Sequence, residues 1–482
     1  MPATVTFTPD ASSTYDTAIG NGVDATGSAH LPLKSGARRL YVANGGSDAS
    51  ATPTNPATPL ATPAGARALI SQGTFEPYQV CLARGSSWAE GLPNLNERGG
   101  FSALYPAVWQ DYDPADPTNE SLMGRATTNR PIVNTGGNAQ SLVNGAWDTR
   151  YLAIRGLDWG QSNVIDQTVG FVGGIGYFLF ENNVVRYGTV ATQTLGFGQQ
   201  TKRIFRKNSF YGSFATDDFA GSSIYMDGCD ACTVEDNISW HPGWKIGASR
   251  DATNVNGGAT INRHCIYLHE DSDAVVRRNI CVDPSATGAS VRGPVTAYDN
   301  LFLDCPISII AGLGTNYPTI RPDGVDLQIY NNTILGDADI ETANPRGTAI
   351  QTGNGILGSR AHHNLIVRSR NPAGTNVYRF ATEAGAALPS HCAYEDNLSH
   401  LWGPDHLGGG AFSAYNFPTY ARNTDGASGP NMYADSGALA VAMGYADKAA
   451  WMAHLIAHPE DAGTQALAAK AIMGAGYGMT WA

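Results

Sequence analysis

Two stretches of this sequence set groups that can move protons beside groups that carry positive charge. Ile224-Tyr-Met-Asp-Gly-Cys-Asp-Ala-Cys-Thr-Val-Glu-Asp-Asn237 and Ile266-Tyr-Leu-His-Glu-Asp-Ser-Asp-Ala-Val-Val-Arg-Arg-Asn279 align without a gap. Read as strands, their period-two alternation turns Ile224, Met226, Ile266 and Leu268 inward, and Tyr225, Asp227, Tyr267 and His269 outward on one face. A third stretch, Ser290-Val-Arg292, is expected to put Arg292 in the same column. Asp227, His269 and Arg292 would then stack on neighbouring strands, about 4.8 Å apart per step. Between the two aligned stretches runs a long insertion, from Trp240 to about His264. It would wall one side of that face and bring His241, Trp244, Lys245 and Arg250 near it, because long loops on a rigid scaffold commonly carry function.

Two proton-transfer schemes fit this set. In the first, a cation (Lys245, Arg250 or Arg292) neutralises a substrate carboxylate, a base (His269 or Lys245) removes the adjacent proton, and a phenol (Tyr225 or Tyr267) protonates the leaving oxygen. In the second, two carboxyl groups divide the acid and base roles, either Asp227 with Glu270 or Asp230 with Asp271. Plainer roles compete for the same residues. Acids beside turns cap backbone amides, tyrosines on adjacent strands stack as ladders, His264 packs at a strand start, and Trp244 plugs its own loop.

The elements that must hold these groups repeat along the chain. A strand-like run, an asparagine and a second apolar run recur as FLFENNVV, IFRKNSFY, TVEDNISW, VVRRNICV, TAYDNLFL, QIYNNTIL, RAHHNLIV and AYEDNLSH. The aligned asparagines are Asn183, Asn208, Asn237, Asn279, Asn300, Asn332, Asn364 and Asn397, at spacings of 25, 29, 42, 21, 32, 32 and 33 by subtraction. Coils of variable length on one scaffold fit a parallel solenoid, since no unit can bury its apolar face alone. An asparagine repeated at one turn tolerates left-handed backbone, and its amide can bond to its neighbours above and below.

Outside the repeats the chain changes character. Residues 1–38 are rich in Thr, Ser, Ala and Gly and read as an N-terminal arm; 39–430 form the repeat domain, with a short helix near Pro63–Ile70; 431–482 are Ala-rich and read as a mainly helical cap. Composition agrees: 56 Gly, 26 Pro and only 15% charged residues among 482 suit many short strands and turns. A net charge of −12 without a basic run argues against nucleic acid as a partner. The start lacks the pattern of a signal peptide, and no apolar stretch is long enough to span a membrane.

Seven cysteines lack the spacing of a disulfide framework and read as small buried hydrophobes, Cys229-Asp-Ala-Cys232 included. His362-His363 have no partners at metal spacing and no calcium-type Asp cluster occurs, so neither metal nor cofactor is expected.

The opening YVANGGSD and the coil phrases IYMDGCDACTVEDN and IYLHEDSDAVVRRN resemble the superfamily of right-handed parallel β-helix proteins that act on polysaccharides. It includes pectate and alginate lyases, glycoside hydrolases and phage tailspike depolymerases. The resemblance covers about residues 39–400 and implies an all-β solenoid with a polysaccharide groove along the outer face of one sheet. In that frame the first scheme is β-elimination on a uronic-acid-containing chain, making a polysaccharide lyase. The second is glycoside hydrolysis, and a non-catalytic spike or adhesion protein is a third reading. His241, Trp244, Arg250, His264, Glu270 and Asp271 would then bind substrate, Trp244 as a stacking platform. The expected setting is extracellular or virion-associated, and a phage spike would bring a homotrimer.

Overall fold

A computed structural model describes residues 20–479 except 25–26, 135–140, 144–147, 161–168, 173, 194–201, 214–221, 245–262, 270–271, 315–322, 337–346, 369–377, 383–391, 401–405, 408–409, 412–418, 422–423, 426–434 and 478. Its strands stack into three long parallel sheets. Sheet I has 13 strands, from Arg38–Val42 to Thr419–Ala421; sheets II and III have 11 each among the described residues. After three successive sheet I strands, the last of them Ala107–Tyr112, the chain visits II, III and I in turn and climbs about one strand per coil, so the fold is the expected all-β parallel β-helix.

Alternation within each strand builds the interior. In sheet III, Ile224, Met226, Ile266 and Leu268 are buried, whereas Tyr225, Asp227 and Tyr267 are only half-buried, as period two requires. The apolar residues of successive coils merge into one core running up the stack, from Leu40 to Tyr394.

The recurring asparagines form a continuous ladder at the corner between sheets I and II. Asn183 Nδ2 donates to Asn208 Oδ1 (3.2 Å), and the pattern continues through Asn237, Asn279, Asn300, Asn332 and Asn364 to Asn397. Each amide also donates to a backbone carbonyl of the preceding coil, such as Asn279 Nδ2 to Val234 O at 2.8 Å. The left-handed residue is not the ladder asparagine, as the sequence reading had it, but the one before it. Lys207, Asp236, Arg278, Asp299 and His363 all have φ between 52° and 58°. The physical division is clear: one residue reverses the chain, and the next satisfies the buried polar groups that the reversal exposes.

Among the described residues, two added layers lie on the outer faces of sheets I and II. A hairpin at the N-terminus, closed by the Val23–Ala29 bridge, lies on sheet I, with Ala29 and Leu31 against Val108, Ala153, Leu179 and Ile204. Beneath it runs a buried charge ladder of Arg155, Glu181, Arg206, Glu235 and Arg277, with Arg206 Nε 2.7 Å from Glu181 and Arg277 Nη2 2.7 Å from Glu235. The C-terminal helices Ser436–Ala442, Lys448–Ala457 and Ala462–Tyr477 are present as expected, and they lie along the flank of the stack. Ile238, Ile280, Val282, Leu301, Leu303, Leu335, Leu365 and Val367 make the outer face of sheet II apolar, and Trp451, Met452, Leu455 and Met473 cover it. Lys470 Nζ on Asp299 (2.5 Å) and Arg130 Nη1 on the Ala457 carbonyl (2.9 Å) fasten this layer. No helix among the described residues is long and apolar enough to cross a membrane.

Candidate functional site

The polar column lies on the outer face of sheet III. Tyr225 pairs in register with Tyr267, and Tyr267 with Ser290. One step on, the His269 N–H donates to the Met226 carbonyl (2.9 Å) and the Arg292 N–H to the Leu268 carbonyl (2.9 Å), so Asp227, His269 and Arg292 occupy successive rungs. His269 Nδ1 lies 3.3 Å from Asp227 Oδ1, with both side chains less than one-fifth exposed. On the other side Gln193 Nε2 donates to Asp227 Oδ2 at 3.1 Å. The carboxylate therefore has one oxygen on Gln193 and the other facing the imidazole. The contact is one of charge proximity, and a carboxylate this close favours a protonated imidazole, which is how a general base is stabilised once it has taken a proton.

The tyrosines form the second row. The Tyr225 and Tyr267 rings are 5.4 Å apart, and Tyr267 meets the His269 ring edge-on at 6.3 Å. A phenol is thus held beside the imidazole on the same strand.

The structure reassigns several residues. Trp244 is fully buried, its indole N–H donating to the Asp283 carbonyl (3.0 Å) and its ring stacked on His241 at 5.9 Å. A stacking platform needs an open ring face, whereas Trp244 is packed between His241 and the Asp283 carbonyl of the next coil, in line with the plainer reading of it as a packing residue. His241 Nδ1 sits 2.9 Å from Asp283 Oδ2 at the sheet II end of that loop, bound to the next coil. His264 is buried and stacks on Tyr267 at 5.1 Å, supporting that ring from beside it. Lys245, Arg250, Glu270 and Asp271 lie outside the described residues.

Two contributors escaped the sequence reading. Gln193 belongs to the coil before Tyr225, at the register of Asp227. Its strand start, Val190, lies 18 residues from Asn208, whereas Ile224 lies 13 from Asn237, so the extra length hides the alignment. Cys229 and Cys232 are joined as a disulfide, in place of two separate buried thiols, and this bond closes the turn that follows Asp227. Cys81, Cys265, Cys281 and Cys305 are buried, and the Cys305 thiol donates to the Cys281 and Leu303 carbonyls. Among the described residues no group of His, Cys, Asp and Glu is arranged to hold a metal ion.

The coil stack and its asparagine corner define a parallel β-helix protein. Neither a protein-family description nor a curated protein matches the sequence. Among solved structures, the native GH136 lacto-N-biosidase from Eubacterium ramulus matches at 13% identity and a TM-score of 0.30, over 77% of this chain and 57% of that one. Its selenomethionine derivative matches at 12% and 0.22, over 75% and 68%. The chain thus spans little more than half the length of the first of these.

Proposed function

We propose that the protein is a polysaccharide-cleaving enzyme whose groove runs over the outer face of sheet III, and that it acts by β-elimination on a uronic-acid-containing chain. The observation that carries this reading is the Asp227–His269 contact at 3.3 Å with Arg292 on the next rung. An oriented base and a cation one strand apart are what removal of a proton next to a carboxylate demands.

In the proposed step Arg292 pairs with the uronate carboxylate and stabilises the charge that develops when C5 loses its proton. His269 Nε2 accepts that proton. The C4–O bond breaks as the C4=C5 double bond forms, and the Tyr267 hydroxyl protonates the departing oxygen, with Tyr225 beside it. Asp227 stabilises the imidazolium that results.

Incubation with a panel of uronate-containing and neutral polysaccharides, following ultraviolet absorbance of the unsaturated product and reducing ends together, tests this reading. A rise in both signals is expected. Reducing ends without absorbance would replace elimination by hydrolysis, and silence in both across the panel would leave a binding or adhesion protein.

A further inference from the structure

Arg203 opens a second level of organisation beneath the site. It stands in the sheet I strand Lys202–Arg206 at an inward position, and it is fully buried. The registered neighbours of its column are Phe178 on the coil below and Cys232, Ala274, Val295 and Leu327 on those above. A guanidinium in an otherwise apolar column is costly to desolvate, and stability alone would favour another apolar side chain there.

What the guanidinium holds is the end of the site. Nη1 donates to the Asp227 carbonyl at 2.7 Å, to the Thr192 carbonyl at 3.3 Å and to Thr192 Oγ1 at 3.1 Å; Nη2 donates to the Gly228 carbonyl at 3.0 Å. One planar fork therefore ties together, from inside the solenoid, the ends of the strands Val190–Gln193 and Ile224–Asp227. Those ends carry Gln193 and Asp227. Gly228 is in the left-handed region at φ 65°, so the chain turns away immediately after Asp227. The Cys229–Cys232 disulfide closes the same turn, and Cys232 lies opposite Arg203 in register.

We propose that Arg203 is a positioning residue of the site. It fixes the backbone beneath Asp227, so that the carboxylate can meet Gln193 and His269 at once. This rests on reading Asp227–His269 as the proton-transfer pair, and its test does not depend on activity alone.

The experiment is an NMR titration of the His269 imidazole, assigned with His269→Gln, in the wild type, Asp227→Asn, Arg203→Met and Arg203→Lys. In the wild type the Asp227 carboxylate is expected to favour the Nδ1–H tautomer and to hold the titration midpoint above that of Asp227→Asn. Arg203→Met should move the midpoint and tautomer at least half of the way to the Asp227→Asn values, and Arg203→Lys should restore part of the difference. On a cleaved polysaccharide Arg203→Met should lower kcat about 10²-fold with little change in KM, as expected for a misplaced base. A His269 titration in both Arg203 variants identical to the wild type would overturn the proposal. Should Arg203→Met not fold, Arg203→Lys decides alone: a wild-type midpoint and kcat would count against it, and a displaced midpoint with lower kcat for it. If no polysaccharide is cleaved, the elimination reading fails while the titration still decides the role of Arg203.

Discussion

Asp227 and His269 stand on adjacent coils with Oδ1 and Nδ1 3.3 Å apart, although 42 residues separate them in the chain. The contact exists because parallel stacking converts an identical position in consecutive coils into direct neighbours about 4.8 Å apart. Asp227→Asn and His269→Gln should each lower turnover by about 10²–10⁴-fold. Both residues lie on the outer face, so melting temperatures should change little. Full activity in His269→Gln would remove the base from the proposed mechanism.

The His362 imidazole is pushed down to about 4 by burial, then by the positive charge of Arg360 and the neighbouring His363. A folded value below the unfolded one means that folding favours the neutral ring. Its contribution to stability is therefore complete above the unfolded value of about 6.5 and is lost as pH falls from there toward 4. Urea unfolding of the wild type and His362→Gln between neutral and acidic pH checks this, because the substitution should flatten that part of the profile.

Asn279 sits mid-ladder, where its Oδ1 accepts from the backbone and side-chain amides of Asn237 and its Nδ2 donates to Val234, Arg277 and Asn300. Asn279→Ala should cost at least about 3 kcal/mol, since several buried groups each lose a partner. Chemical denaturation measures the loss. A cost near that of an exposed substitution would mean that water replaces the rung.

Glu181 is enclosed by Arg206 Nε at 2.7 Å, Arg155 Nη1 at 3.6 Å and the Ala29 N–H at 3.0 Å. Glu181→Gln leaves buried guanidinium groups without their shared counter-charge and should cost about 3–5 kcal/mol. Because Ala29 also loses its charged acceptor, the N-terminal hairpin should be cleaved faster by protease. Unchanged stability together with unchanged cleavage would show that the ladder does not hold the hairpin.

Trp244 is fully buried, its indole N–H held by the Asp283 carbonyl. Trp244→Ala should destabilise by about 3–5 kcal/mol through the cavity it leaves. If Trp244 were a sugar platform, the same change would raise KM and spare the melting temperature.

The amino-acid sequence by itself determined the coil stack, the asparagine corner and the outward column of Asp227, His269 and Arg292. Each of these follows from a local period that repeats: apolar alternation sets the faces, and equal distance from Ile to Asn sets the register of the two aligned coils. Gln193 was hidden because the loop after it lengthens its coil. Arg203 was illegible for a different reason, since it reaches across the solenoid to the end of another sheet. The same holds for the hairpin on sheet I and the helices on sheet II. Their partners are distant in sequence, and which face they cover depends on where apolar and charged surface is left after the coils have stacked. Local patterns fix which way a side chain points within its own strand. What it meets there is settled only when separate parts of the chain compete to bury the same surface.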